Sequence, residues 1–135
     1  MKELTVEATK ENIPQVTAFV DRQLEDIGCP MKAAMQIDIA IDELFSNIAH
    51  YAYRSGTGPA TVRVETVEDP MAVIITFLDH GVPYDPLKKE DPDISLSAEE
   101  REAGGLGIYL VKKSMDKLDY EYRDGQNILR IRKNF

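Results

Sequence analysis

Leu4 and Val6 alternate with polar neighbours, the period of a short strand that is wet on one side. From Ile13 the period changes. Ile13, Val16, Phe19, Val20, Leu24 and Ile27 recur at helical spacing, which predicts an amphipathic helix that starts at Asn12 or a nearby polar residue and stops at Gly28. Pro30 suits the first turn of a helix, so a second one can begin at once. Its apolar positions are Met35, Ile37, Ile41, Leu44, Ile48 and Tyr51, and it is expected to end near Arg54-Ser55-Gly56. Gly58-Pro59 then breaks the pattern.

Val62, Val64 and Thr66 alternate with Arg63 and Glu65, predicting a strand with one wet face. Glu68-Asp69-Pro70 reads as a turn into Ala72–Leu78, which is apolar on both parities and so predicts a central strand. Residues 81–103 hold no sustained period, contain Pro83, Pro86 and Pro92, and gather acids from Glu90 to Glu102. So long a stretch inside a compact domain points to a functional loop or to disorder. Gly104-Gly105-Leu106-Gly107 opens a third helix from Ile108 to about Lys117. Tyr120 and Tyr122 lead to Asp124-Gly125, a two-residue hairpin signal, and Ile128–Ile131 forms the returning strand. The order is strand, two helices, two strands, loop, helix, hairpin. That order predicts an α+β fold, a two-layer sandwich with helices on one face of a mixed, mainly antiparallel sheet.

The length of 135 residues suits one domain, residues 1–135. Hydrophobic residues make up 43% and charged residues 30%, as in a globular protein with a core. The 16 basic and 24 acidic residues give a formal charge of -8. Such a surface repels nucleic-acid backbones and anionic lipid, so neither is expected as a direct partner, and a protein with a basic face fits better. Cys29 is the sole cysteine, which precludes an internal disulfide and fits a reducing cytoplasm. The N-terminus lacks a signal-like apolar stretch, and no apolar run approaches ~20 residues, so no membrane span is expected.

Three places carry candidate chemistry. Glu43 and Asn47 lie four residues apart and share one face of the second helix, at the border of its apolar stripe. A carboxylate there can hold a water or hydroxyl, and an amide oxygen can serve as a ligand to Mg²⁺, although an ordinary surface pair has the same spacing. Asp79 follows the most apolar strand, and Gly81 follows it two residues on. A carboxylate at the mouth of a core can accept from an exocyclic amine such as that of adenine, with the glycine leaving room; a plain Asp-x-Gly turn is the alternative. Gly104, Gly105 and Gly107 stand at a helix start, where free N–H groups and the helix dipole favour phosphate, or simply admit the chain into a helix. Phosphate loops of the G-x-x-x-x-G-K-[ST] and G-x-G-x-x-G types are absent. His50 and His80 have no metal-ligand partner at useful spacing.

In their order, with a long loop between the second and third, these elements resemble the GHKL superfamily of ATP-binding domains, which includes gyrase, histidine kinases and MutL. Asp42-Glu43-Leu44-Phe45-Ser46-Asn47-Ile48-Ala49-His50-Tyr51-Ala52-Tyr53 is similar to the corresponding helix of bacterial anti-sigma-factor serine/threonine kinases. Asp79-x-Gly81-x-x-Tyr84-Asp85-Pro86 and Gly105-Leu106-Gly107-Ile108-Tyr109-Leu110-Val111 resemble the two loops of that branch.

The resemblance implies the following roles. Asn47 would help coordinate Mg²⁺ bridging the phosphates of ATP, Asp79 would receive the adenine amine beside Gly81, and Gly104, Gly105 and Gly107 would line the phosphate site. Glu43 would deprotonate a serine or threonine hydroxyl on a partner, and residues 82–103 would form a lid over the nucleotide. It further implies a cytoplasmic homodimer that sequesters a sigma factor and phosphorylates an anti-anti-sigma antagonist. A non-catalytic module that senses nucleotide and acts by contact is the alternative. The chain departs from the branch in having Ala103-Gly104 where relatives carry an arginine, with Arg101 the nearest substitute, and Gln126-Asn127-Ile128 where they carry a threonine near the adenine. The lid is acidic, with only Lys88, Lys89 and Arg101 to meet phosphate.

Overall fold

The computed structural model describes residues 1–54, 56–88 and 105–135. The chain runs β1 (Lys2–Glu7), α1 (Ile13–Asp26), α2 (Met31–Tyr51), β2 (Pro59–Val67), β3 (Ala72–Asp79), α3 (Gly105–Ser114), β4 (Lys117–Arg123) and β5 (Gln126–Asn134). Short 3₁₀ turns at Lys10–Asn12 and Pro86–Lys88 complete it. The strands form a single sheet of order β1-β2-β3-β5-β4, and all four pairings are antiparallel. The expected α+β sandwich is present, with β3 at its centre, and its sheet proves antiparallel in every pairing.

Each boundary has a local cause. Gly28 ends α1 with φ +70, and Pro30 stands at the N-cap of α2. Asn12 occupies the N-cap of α1, yet its side chain donates to Glu7 O instead of capping the helix. The second helix stops at Tyr51, about one turn before the expected end. Ala52 O there accepts from Val82 N at 2.8 Å, so the chain leaves the helix to meet the loop after β3. Asp124 and Gly125 both have positive φ, the geometry of a type I′ hairpin, and join β4 to β5.

Alternation along the strands decides which residues face the helices. Val73, Ile75 and Phe77 of β3 lie in the core beside Leu129 and Ile131 of β5 and Val62 and Val64 of β2. Register aligns them in rows: Val62, Phe77, Leu129 and Tyr120 in one, Val64, Ile75, Ile131 and Leu118 in the next. From α1 come Val16, Val20 and Leu24; from α2, Ile37, Ile41, Leu44 and Phe45; from α3, Ile108, Val111 and Met115. Each such large apolar side chain contributes roughly 1.5–3 kcal/mol when fully buried. The other sheet face carries exposed ion pairs, Arg63–Glu3 at 2.8 Å and Arg130–Asp119 at 3.2 Å, of the kind worth about 0–1 kcal/mol each.

One polar feature lies where α1 meets α2. Asp38 has its Oδ1 buried without a hydrogen-bond partner among the described residues, beside Asp21. Burial, then the neighbouring Asp21 carboxyl, pushes Asp38 up to about 7.

Candidate functional site

The helix-facing parity of β3 does not end with Phe77. It continues to Asp79, which pairs in register with Asn127 of β5, while Phe77 pairs with Leu129 one row below. The last polar pair therefore sits directly above the apolar core, and both residues are buried. Asp79 Oδ1 accepts from Gly81 N and from Asn127 Nδ2, each at 2.8 Å. The Asn127 amide also donates to Val82 O at 2.9 Å and accepts from Tyr84 N at 3.1 Å and from the Tyr120 hydroxyl. Every hydrogen-bonding position of that amide is used.

These residues border a cavity. Its apolar walls are Leu44, Ile48 and Ala52 of α2, Phe77 and Leu129 of the sheet, and Pro86 of the following loop; Asn47, Asp79, Tyr84, Tyr120 and Asn127 supply the polar atoms. Its volume is about 30 Å³, room for one or two waters. The Tyr84 ring stacks on Tyr51 with centroids 4.7 Å apart. Burial raises the Tyr84 and Tyr120 phenols, and the nearby charges of Glu43 and Asp85 add to this at Tyr84. Both hydroxyls are thus kept protonated, and Tyr120 can act as a donor to Asn127.

Glu43 lies one turn before Asn47 on the same side of α2, and its carboxylate rests on the start of α3. A Cβ built on Gly107 would fall 2.2 Å from the Glu43 carboxyl carbon, so only glycine admits the carboxylate there without a shift. Gly81 is constrained more severely. Its Cβ would lie 2.1 Å from Ala52 O, which is backbone and cannot swing away. The missing side chain of Gly81 thus serves the contact between loop and helix end, a reason that spacing alone did not reveal.

Four predicted residues, Glu43, Asn47, Asp79 and Gly107, are brought along one edge of the sandwich, with Gly81 behind Asp79. Gly105 begins α3. Gly104 and residues 89–103 of the expected lid, Arg101 included, lie outside the described residues. Sequence reasoning gave no role to Tyr51, Tyr84, Tyr120 or Asn127, although Asn127 stands at one of the departures noted above. The available signal was strand parity, since Asn127 shares that of Leu129 and Ile131.

The lining has the chemistry a purine requires, apolar faces and one buried carboxylate at the rim, although the cavity as it stands is smaller than the ring. Among the described residues no group of three or more His, Cys, Asp or Glu side chains could hold a metal by itself. Mg²⁺ in such a site would need oxygens beyond the protein's own.

Comparison with known proteins agrees with this fold. Residues 6–133 match the family described as histidine kinase-like ATPase domain. The chain belongs to that family. Among curated relatives, this histidine kinase-like ATPase domain is 30% identical over 95 residues to the serine/threonine-protein kinase BtrW of Bordetella bronchiseptica, covering 70% of this chain and 66% of that protein. It is 32% identical over 95 residues to the serine-protein kinase RsbW of a Bacillus cereus strain, covering 67% and 58%. The chain thus spans about three fifths to two thirds of the length of these relatives. The histidine kinase-like ATPase fold also aligns with a chain of the SiaB-SiaC complex from Pseudomonas aeruginosa, with a TM-score of 0.60 at 19% identity over 98% of this chain and 89% of that one. The histidine kinase domain of the Erythrobacter litoralis EL346 blue-light activated histidine kinase gives 0.51 at 11% identity, over 92% and 59%. Among the described residues, no helix of this domain is long and apolar enough to cross a membrane.

Proposed function

We propose that this chain is a cytoplasmic protein serine/threonine kinase that binds ATP with Mg²⁺ and phosphorylates an anti-anti-sigma antagonist, and that it also sequesters a sigma factor. The observation that carries this reading is the line formed by Asp79, Asn47, Glu43 and Gly107 along one edge of the sandwich. The similarity to serine kinases supports it. A homodimer fits the same reading, with β1 at the sheet edge and α1 beside it as candidate interface elements.

Asp79 takes the adenine amine over the apolar floor of Phe77 and Leu129. Asn47 would hold Mg²⁺ through its amide oxygen, where the ion would supply positive charge against the phosphates. Gly105 and Gly107 open α3, whose first N–H groups face the phosphates. Glu43, lying against that helix start, accepts the proton of the attacking serine or threonine hydroxyl. The new oxygen–phosphorus bond forms as the bond to the departing ADP breaks. Phosphoryl transfer relies chiefly on such positioning and charge stabilisation, so one base with a metal and phosphate donors suffices.

Titration with ATP, with and without Mg²⁺, tests the pocket. Saturable Mg²⁺-dependent binding that Asp79→Asn weakens by tenfold or more (about 1.4 kcal/mol) is the expected result. A wild type that takes up no ATP at millimolar concentration would leave a module acting through partner contact alone. Glu43→Gln separates catalysis from binding: it should retain ATP and lose transfer to the antagonist. Unchanged transfer would remove Glu43 from the role of base.

A further inference from the structure

The Asp79 carboxylate is engaged asymmetrically. Oδ1 accepts two hydrogen bonds, from Gly81 N and from Asn127 Nδ2, both at 2.8 Å, so both of its lone pairs are occupied. Among the described residues, no hydrogen bond falls on Oδ2. The Asn127 amide cannot turn over to release Oδ1. Its other N–H is held by Val82 O, and its oxygen is held by Tyr84 N and the Tyr120 hydroxyl. A flipped amide would set NH₂ against the Tyr84 N–H and oxygen against two acceptors, Asp79 Oδ1 and Val82 O.

Purines differ in what they ask of a carboxylate. Adenine offers one exocyclic amine beside a ring nitrogen that accepts, so a single carboxylate oxygen meets it. Guanine carries a carbonyl at the equivalent position, which a carboxylate repels. It pairs with a carboxylate through the neighbouring N1–H and N2–H together, a fork that needs one open lone pair on each oxygen. With Oδ1 filled from below, that fork has only one prong to grip. A site that leaves a polar group of the wrong ligand unpaired rejects that ligand strongly.

Resting on the reading that this cavity receives nucleotide, we propose that Asn127 is a specificity-determining residue. By occupying Asp79 Oδ1 it leaves a one-oxygen acceptor that takes adenine nucleotides and turns guanine nucleotides away. Asn127 acts through Asp79, as a positioning residue set by the strand register that pairs the two. The same amide holds Val82 and Tyr84 at the rim, so the orientation of the carboxylate and the position of the rim share one anchor.

Calorimetric titration of the intact chain with ATP and with GTP tests this, read as the ratio of the two dissociation constants. The wild type should prefer ATP by about 100-fold. Asn127→Ala should bring the ratio below about tenfold, chiefly by gaining GTP affinity as one lone pair of Oδ1 opens. Asn127→Ser, a milder change, should move it in the same direction and serves if the alanine variant does not fold. A merely loosened fold would weaken both nucleotides and leave the ratio in place. Equal binding of ATP and GTP by the wild type would overturn the proposal, as would an unchanged ratio in both Asn127 variants. Failure of the wild type to bind ATP would instead remove the nucleotide reading, and this inference with it.

Discussion

The Glu43 carboxylate occupies the space in which a side chain on Gly107 would stand. The carboxyl carbon lies 2.2 Å from the position of a Cβ there, so α2 and α3 meet through a carboxylate and a glycine. The crowded atoms are the far end of a flexible side chain, which makes the contact easy to break without harm to the fold.

Gly107→Ala should accordingly separate stability from catalysis. Alanine is the better helix former by about 1 kcal/mol, which offsets the cost of moving Glu43, so thermal stability should change by less than about 1 kcal/mol. Transfer of phosphate from ATP should fall by about ten- to a hundredfold, because a small misplacement of a reacting group is costly. Thermal unfolding and a phosphotransfer time course on one preparation check both halves. Full activity in a folded variant would show that the position of Glu43 over Gly107 is not the one used in catalysis.

Gly81→Ala should behave in the opposite way. Its Cβ meets the Ala52 carbonyl oxygen at 2.1 Å, and the bond from Val82 N to that same oxygen must stretch or break. A loss of about 2–3 kcal/mol is expected, of the size that overpacking against a rigid neighbour costs. Denaturant unfolding would show it as a lower midpoint with the slope unchanged.

Asp38 supplies a pH dependence. Its carboxyl is raised from 3.8 to about 7 by burial and by Asp21, so between those values the native state holds a proton that the unfolded chain has released. The associated stability is complete below about pH 3.8 and is lost as pH rises through about 7. Asp38→Asn should therefore matter little near pH 4 and stabilise by about 1 kcal/mol at pH 8, after allowance for solvent screening at a partly exposed site. Melting curves at the two pH values test the difference. A variant no more stable at pH 8 than the wild type would mean that the Asp21–Asp38 contact relaxes on ionisation.

Much of this architecture could be read from the chain. Periodicity placed both long helices, the central strand and the closing hairpin, because each buries one continuous face and so carries a repeating pattern. The end of α2 was harder, since helical apolar spacing continues to Tyr51 while the stop depends on Val82, a contact between residues thirty apart. Spacing and resemblance pointed to Glu43, Asn47, Asp79 and Gly107, and the structure brings these four along one edge, while their roles stand as proposals. Asn127 was not legible. Its importance comes from facing Asp79 across a strand pair, and register between distant strands leaves no local mark. Gly81 was noticed for the right residue type, yet the contact that demands glycine lies at Ala52.

The small cavity lined in part by Tyr84 has a kinetic consequence. At about 30 Å³ it falls well short of the roughly 300 Å³ at which ligand sites begin, so a purine could be admitted only if part of the lining moved, and the Tyr84 ring, stacked on Tyr51, is the candidate. Nucleotide capture would then be timed by that ring. In stopped-flow mixing, the observed rate should level off at high ATP instead of climbing in proportion, and Tyr84→Ala should restore the climb. An entrance of this kind lets a protein be slow to load and slow to empty, holding its nucleotide state longer than affinity alone would dictate.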